Sequence, residues 1–364
     1  MKNLIALFLS LAVSGCASFG EGIIHALLDI DKETRDPREC KIIGKSFAGI
    51  SPTLNKRQGS TKVLMVHGVG SHTAGYSTEF LEKLSKELDL NVKNRTFREL
   101  ALTHPDHPEK KLGTLRVHRQ TDESETREML FYELTWSEIT AHEKSLLSYD
   151  NSGEYSYRRA LVNDLLKKFS NDTGPDPMIY LGERHDDFIM AFKQSFCWMI
   201  KKDWDDLPEI PADSCVLERS QITDAELDNL VQDDFAIVSH SLGSLITIDG
   251  MQEIADSIAK KNQGPGNSPG VSKFISLLKN KEIPLYMLSN QLPLLQMGRK
   301  IPQYDGKQED FCSPTGSRYA DRILKKTSII AFSDPNDLLS YAIPNGFVDQ
   351  YLDPRLCIDV VNID

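Results

Sequence analysis

Past residue 16 the chain holds no apolar run long enough to cross a bilayer and no dense cluster of lysine and arginine. The first absence excludes a spanning helix beyond the N-terminal segment. The second, with 53 acidic against 42 basic residues and a formal charge of -11, argues against a surface shaped for phosphate backbones, so no nucleic-acid partner is expected. There is no H-E-x-x-H, no P-loop and no dinucleotide fingerprint, and no cofactor is expected. Cysteine is sparse, six in 364 residues, and no pair has the close spacing of a zinc site. No histidine follows His240. What remains, 40% hydrophobic and 26% charged residues, is the composition of a soluble globular protein, long enough for one large α/β domain or two ordinary ones.

The N-terminus has its own character. "MKNLIALFLSLAVSGC" carries one lysine, an apolar run over 4–13 and small residues before Cys16. The run is too short to span a membrane and suits the core of an export signal. "VSGC" resembles the lipobox of bacterial lipoproteins, which implies cleavage after residue 15, lipidation of Cys16 and a membrane partner reached through that lipid. Ala17, where an aspartate would imply inner-membrane retention, implies the outer membrane, facing the periplasm. The plainer alternative is an ordinary cleaved signal with an incidental cysteine. In an oxidising compartment the five remaining cysteines allow two disulfides at most. Residues 16–60 read as anchor, tether and lead-in, and 61–364 as the organised domain.

Continuous apolar runs at 63–66, 129–136, 235–239, 283–288, 327–332 and 356–363 fit buried strands, and helical patterns separate several of them. Strands alternating with helices predict an α/β fold with a mostly parallel, doubly wound sheet. The segment of about 137–234 is long for a strand-to-strand connection and predicts a helical insertion. Within it, Phe188, Phe192 and Phe196 recur at i, i+4 and i+8. Such a stripe is a core face, a crossover helix or the lining of an acyl pocket.

Two strand ends carry the chemistry. "SHSLG", residues 239–243, places Ser241 between small residues where an apolar run turns into a helix. It resembles the G-x-S-x-G nucleophile elbow of the α/β-hydrolase superfamily, with Ser239 in place of the first glycine. "HGVG", residues 67–70, follows the first core strand and resembles the loop that gives lipases and esterases an oxyanion donor. The resemblance implies Ser241 as nucleophile and the N–H groups of Leu242 and Val69 as the oxyanion hole, with Gly70 as the alternative donor. His67 and His240 are expected to pack or orient, with the His240 side chain turned away from the serine. After a later strand, "SDPNDLLSY" offers two carboxylates. Asp334-Pro335-Asn336 has turn chemistry. Asp337 stands where the family places the acid that orients the base.

The family's order then requires a histidine after the last strand, and the chain reaches Asp364 about where that loop would start. Three readings follow: a chain shorter than the active protein, His72 of "HGVGSHTAGYS" as a substitute base, or a non-catalytic relative. Another cluster, His104, Asp106 and His107 in "HPDHPEKK", reads as an exposed loop, and no metal site is expected. The implied activity is serine-hydrolase cleavage of carboxylic esters, of lipids or small acyl groups. The alternative is a catalytically incomplete relative that binds or interacts as an envelope lipoprotein.

Overall fold

A computed structural model describes residues 40–56, 59–91, 96–151, 160–208, 214–217, 221–263 and 269–364. The signal segment and Cys16 lie outside the described residues. Nine strands form one sheet: β1 (Ile42–Ile43), β2 (Thr61–Val66), β3 (Phe97–His104), β4 (His107–Thr121), β5 (Glu128–Thr135), β6 (Asp234–His240), β7 (Leu285–Leu288), β8 (Thr327–Phe332) and β9 (Ile358–Ile363). Their spatial order is β1-β9-β8-β7-β6-β2-β5-β4-β3. From β5 through β2, β6, β7 and β8 to β9 every neighbour is parallel, and the edges at β1 and at β3–β4 are antiparallel. The chain is thus α/β with a mostly parallel sheet.

The six apolar runs expected as strands are β2 and β5 to β9. Their continuity follows from burial on both faces. Leu64 and Val66 join a core on one side of the sheet, while Val63 and Met65 join a second core on the other. The β3–β4 hairpin has no counterpart in the sequence reading. It turns at His104 and His107, which pair across it, so the His-Pro-Asp-His stretch is a hairpin tip. Among the described residues no group of three His, Cys, Asp or Glu side chains could hold a metal ion. The lead-in expected up to residue 60 joins the fold earlier, because β1 pairs antiparallel with β9 and covers its edge.

Helix α1 (Thr78–Glu87) follows β2. Between β5 and β6 the described elements are helical: α2 (Ala141–Ser145), α3 (Leu161–Thr173), α4 (Pro175–Tyr180), α5 (His185–Lys201) and α6 (Asp224–Gln232), with short 3-10 turns after β5. The aromatic stripe of α5 is core, since Phe188, Phe192 and Phe196 are buried, each worth about 2 kcal/mol of transfer free energy. Helix α7 (Leu242–Gln263) follows β6 and packs tightly on α5: a Cβ at Gly250 would stand 2.2 Å from the Phe192 ring. A capping box opens α6, in which the Thr223 N–H donates to Glu226 Oε2 and the Glu226 N–H to Thr223 Oγ1. That helix delivers the chain into β6. Disulfides join Cys197 to Cys215 and Cys312 to Cys357, and Cys40 is free and exposed. No described helix is long and apolar enough to cross a membrane.

Candidate active site

Ser241 stands between β6 and α7 with φ +52, a left-handed conformation that costs a non-glycine residue of order 1–3 kcal/mol. The turn is over-determined by its surroundings. The Ser241 N–H donates to the Leu288 carbonyl at the end of β7 (3.0 Å), and the Ser244 N–H donates to the Ser241 carbonyl (3.0 Å). Gly243 is required by contact, because a Cβ there would meet the Val66 and His67 carbonyl oxygens at 2.4 and 2.6 Å. Ser239, the departure from glycine, is buried, and its hydroxyl lies 3.1 Å from that of Ser244. A hydrogen bond across the turn thus occupies the place a first glycine would leave empty. Leu242 is the first residue of α7, where N–H groups lack intrahelical acceptors.

The Ser241 side chain is buried, and its Oγ has no hydrogen-bond partner among the described residues. A buried, unpaired hydroxyl is costly, and such groups mark strain or function. Gly68 lies directly against it. A Cβ on Gly68 would stand 2.8 Å from both Ser241 Cβ and His240 Nδ1. His240 Nδ1 thus faces the glycine loop, and no hydrogen bond joins it to Ser241 Oγ among the described residues. Burial lowers the His240 pKa, and the charge of Asp337 works against that shift.

His67 has both ring nitrogens committed. The Trp136 N–H donates to Nε2 (3.2 Å), which leaves Nδ1 as the protonated atom that donates to the Gly68 carbonyl (2.7 Å). The ring stacks on Trp136, and burial pushes its pKa well down. His67 thus shapes the strand exit. His72 packs against His67, and its Nε2 is turned to the Val69 carbonyl (3.3 Å). Burial, as the largest effect, lowers its pKa to about 4, so the ring is neutral at pH 7. The Gly70 N–H, the alternative oxyanion donor, is committed to Asp176 Oδ2 at 2.6 Å, which leaves Val69 as the candidate.

Asp337 is half-buried, and Oδ1 accepts the Leu339 N–H (2.9 Å). Asp334 accepts the Asn336 N–H in the turn its sequence suggested (2.8 Å). The structure thus gathers Ser241, Leu242, Gly68, Val69 and His240 at the ends of β2 and β6, with the charge of Asp337 reaching His240. Sequence reasoning passed over Asp172, Asp176, Lys144 and Glu133. Glu133, fully buried on β5, holds the loop after the glycines by accepting the Gly75 N–H and the Ser77 N–H. Carboxylates and lysines on an insertion read as a solvated face, and only a buried charge inside the β5 apolar run was a visible signal.

Comparison of the chain with protein-family models, with curated proteins and with solved structures finds no match.

Proposed function

We propose that the chain is a serine hydrolase of the α/β-hydrolase type that cleaves carboxylic esters through an acyl-enzyme on Ser241. The observation that carries this reading is a buried, unpartnered serine hydroxyl in a left-handed strand-to-helix turn, packed against a glycine loop at the neighbouring strand end. Ser241 Oγ would attack the ester carbonyl carbon while its proton passes to an imidazole. The alkoxide leaves with that proton, and water releases the acid by the reverse path. The N–H groups of Leu242 and Val69 would hold the oxyanion. His240, whose Nδ1 faces the same glycine and which lies within the field of Asp337, is our choice of imidazole over His72, whose Nε2 faces a carbonyl. Thioester or amide cleavage would use the same groups.

A lipid or small acyl ester suits the proposed address, a lipidated Cys16 holding the domain at the outer membrane on its periplasmic side. The outer stripe of α3 supports an apolar substrate, since Val162, Leu166 and Phe169 are exposed at i, i+4 and i+7. No imidazole among the described residues is hydrogen-bonded to Ser241 Oγ, and the lack of a seated base favours a second reading, in which the fold serves binding alone. A fluorophosphonate probe separates the two. Labelling of the wild-type chain that is lost in Ser241→Ala is the expected result, and Asp337→Asn and His240→Gln should slow it. A folded sample that takes no label would overturn the hydrolase reading in favour of the binder.

A further inference from the structure

Lys144, Asp172 and Asp176 all lie in the helical insertion, yet they meet on the glycine loop. The Gly70 N–H donates to Asp176 Oδ2 at 2.6 Å. The Ser71 N–H donates to Asp172 Oδ2 at 3.1 Å, and the Ser71 hydroxyl to Oδ1 at 2.5 Å. Lys144 Nζ lies 2.8 and 2.9 Å from the two oxygens of Asp176 and 3.5 Å from Asp172 Oδ1. Asp176 is fully buried and Lys144 nearly so, while Asp172 is partly exposed. The peptide joining Val69 to Gly70 is therefore gripped from both sides: its N–H by Asp176, and its carbonyl by His72 Nε2 at 3.3 Å. The far end of α4 is fastened to the helix that follows the serine, since Tyr180 donates to Asp249 Oδ2 of α7 (2.6 Å).

We propose that Lys144, Asp172 and Asp176 are positioning residues that fix the Val69 N–H as oxyanion donor, and that Lys144 keeps the two carboxylates from repelling the negative charge that develops there. This inference rests on reading Ser241 as the nucleophile. Gly70 is one residue from Val69, about 4 Å along the chain, so the carboxylates stand close to the proposed hole. Two carboxylates against one ammonium leave an excess negative charge beside a site that must bind an anion. At such range a single charge is worth about tenfold or more in rate in a partly buried setting.

The sign of two substitutions separates charge balance from mere structure. Lys144→Met removes the compensating charge, and fluorophosphonate labelling of Ser241 should slow about tenfold or more in its limiting rate, with little change in the probe concentration giving half-maximal rate. Asp172→Asn keeps an acceptor for the Ser71 N–H and hydroxyl but removes the excess charge, and should label faster, about two- to fivefold. The double variant Lys144→Met, Asp172→Asn should recover most of the loss. If the three residues only hold the loop, both single variants label more slowly and the double variant more slowly still, which overturns the proposal. Should Lys144→Met fail to fold, Asp172→Asn alone decides by its direction. Wild-type protein that takes no label removes the nucleophile reading itself, a failure distinct from equal labelling of the wild type and both variants, which removes only the charge role.

Discussion

The Ser241 N–H donates to the Leu288 carbonyl at 3.0 Å, so the candidate nucleophile is tied to the neighbouring strand as well as to its own helix. This bond helps hold a φ of +52 that the side chain itself disfavours. The hydroxyl returns nothing, since no described group pairs with it. Ser241→Gly should therefore raise stability, by about 1 kcal/mol, while abolishing fluorophosphonate labelling. Ser241→Ala, which keeps a Cβ in the same conformation, should raise stability too, by up to about 1 kcal/mol, because it removes the unpaired hydroxyl. Urea unfolding of the three proteins checks both, and a glycine variant less stable than the wild type would mean the turn is not strained.

The two small positions flanking the serine should respond differently. Gly243→Ala pushes a Cβ into two carbonyl oxygens of the adjacent strand exit and should cost about 3 kcal/mol. Ser239→Gly only removes a hydrogen bond to Ser244 and should cost about 1 kcal/mol. Thermal melts of the pair would show the asymmetry, and equal losses would contradict it.

Acid should destabilise the fold through its neutral histidines. Burial lowers the pKa of His67, His72 and His240 below the unfolded value of 6.5, with His72 at about 4. Between those values the unfolded chain binds more protons, so stability falls as pH drops from about 6.5 towards 4. The urea midpoint should decline between pH 7.5 and 5, and His72→Gln should flatten the decline. A midpoint constant over that range would refute the assignment.

How much of this was visible beforehand depends on where each charge sits. The parallel strands announced themselves because both faces are buried and their apolar runs are unbroken. The β3–β4 hairpin did not. Its register shifts between Leu102 and Thr103 and again between Thr103 and His104, and polar residues such as Lys110 and Lys111 hide the alternation. The serine turn and the glycine loop were legible because close backbone contact restricts residue type. The loop's partners were not, because Asp172 and Asp176 are ordinary helix residues until tertiary packing brings them to Ser71 and Gly70.

Lys62 gives the sharpest stability test. It is fully buried in β2, with Nζ 2.6 Å from Asp233 and 2.8 Å from Asp203, and it donates to the Lys202 carbonyl. Burial raises the Asp233 pKa and Lys62 opposes that shift. Lys62→Met leaves the buried Asp233 without its cation and should cost about 3–5 kcal/mol. The double variant Lys62→Met, Asp233→Leu should recover a large part of it. Chemical denaturation measures both, and a single variant within about 1 kcal/mol of wild type would show that water already pairs the carboxylate.

The pairing of β2 also sets an order in time. Thr61 lies between Met129 on one side and Asp234 on the other, so the central strand waits for partners made 68 and 173 residues later. Such non-local contacts form slowly and late. Because the serine turn is fastened to Leu288, a growing chain cannot assemble it until residue 288 has emerged. Nascent chains ending before β7 should then resemble the Ser241→Ala protein in their indifference to the probe, although every residue of the turn has already been made.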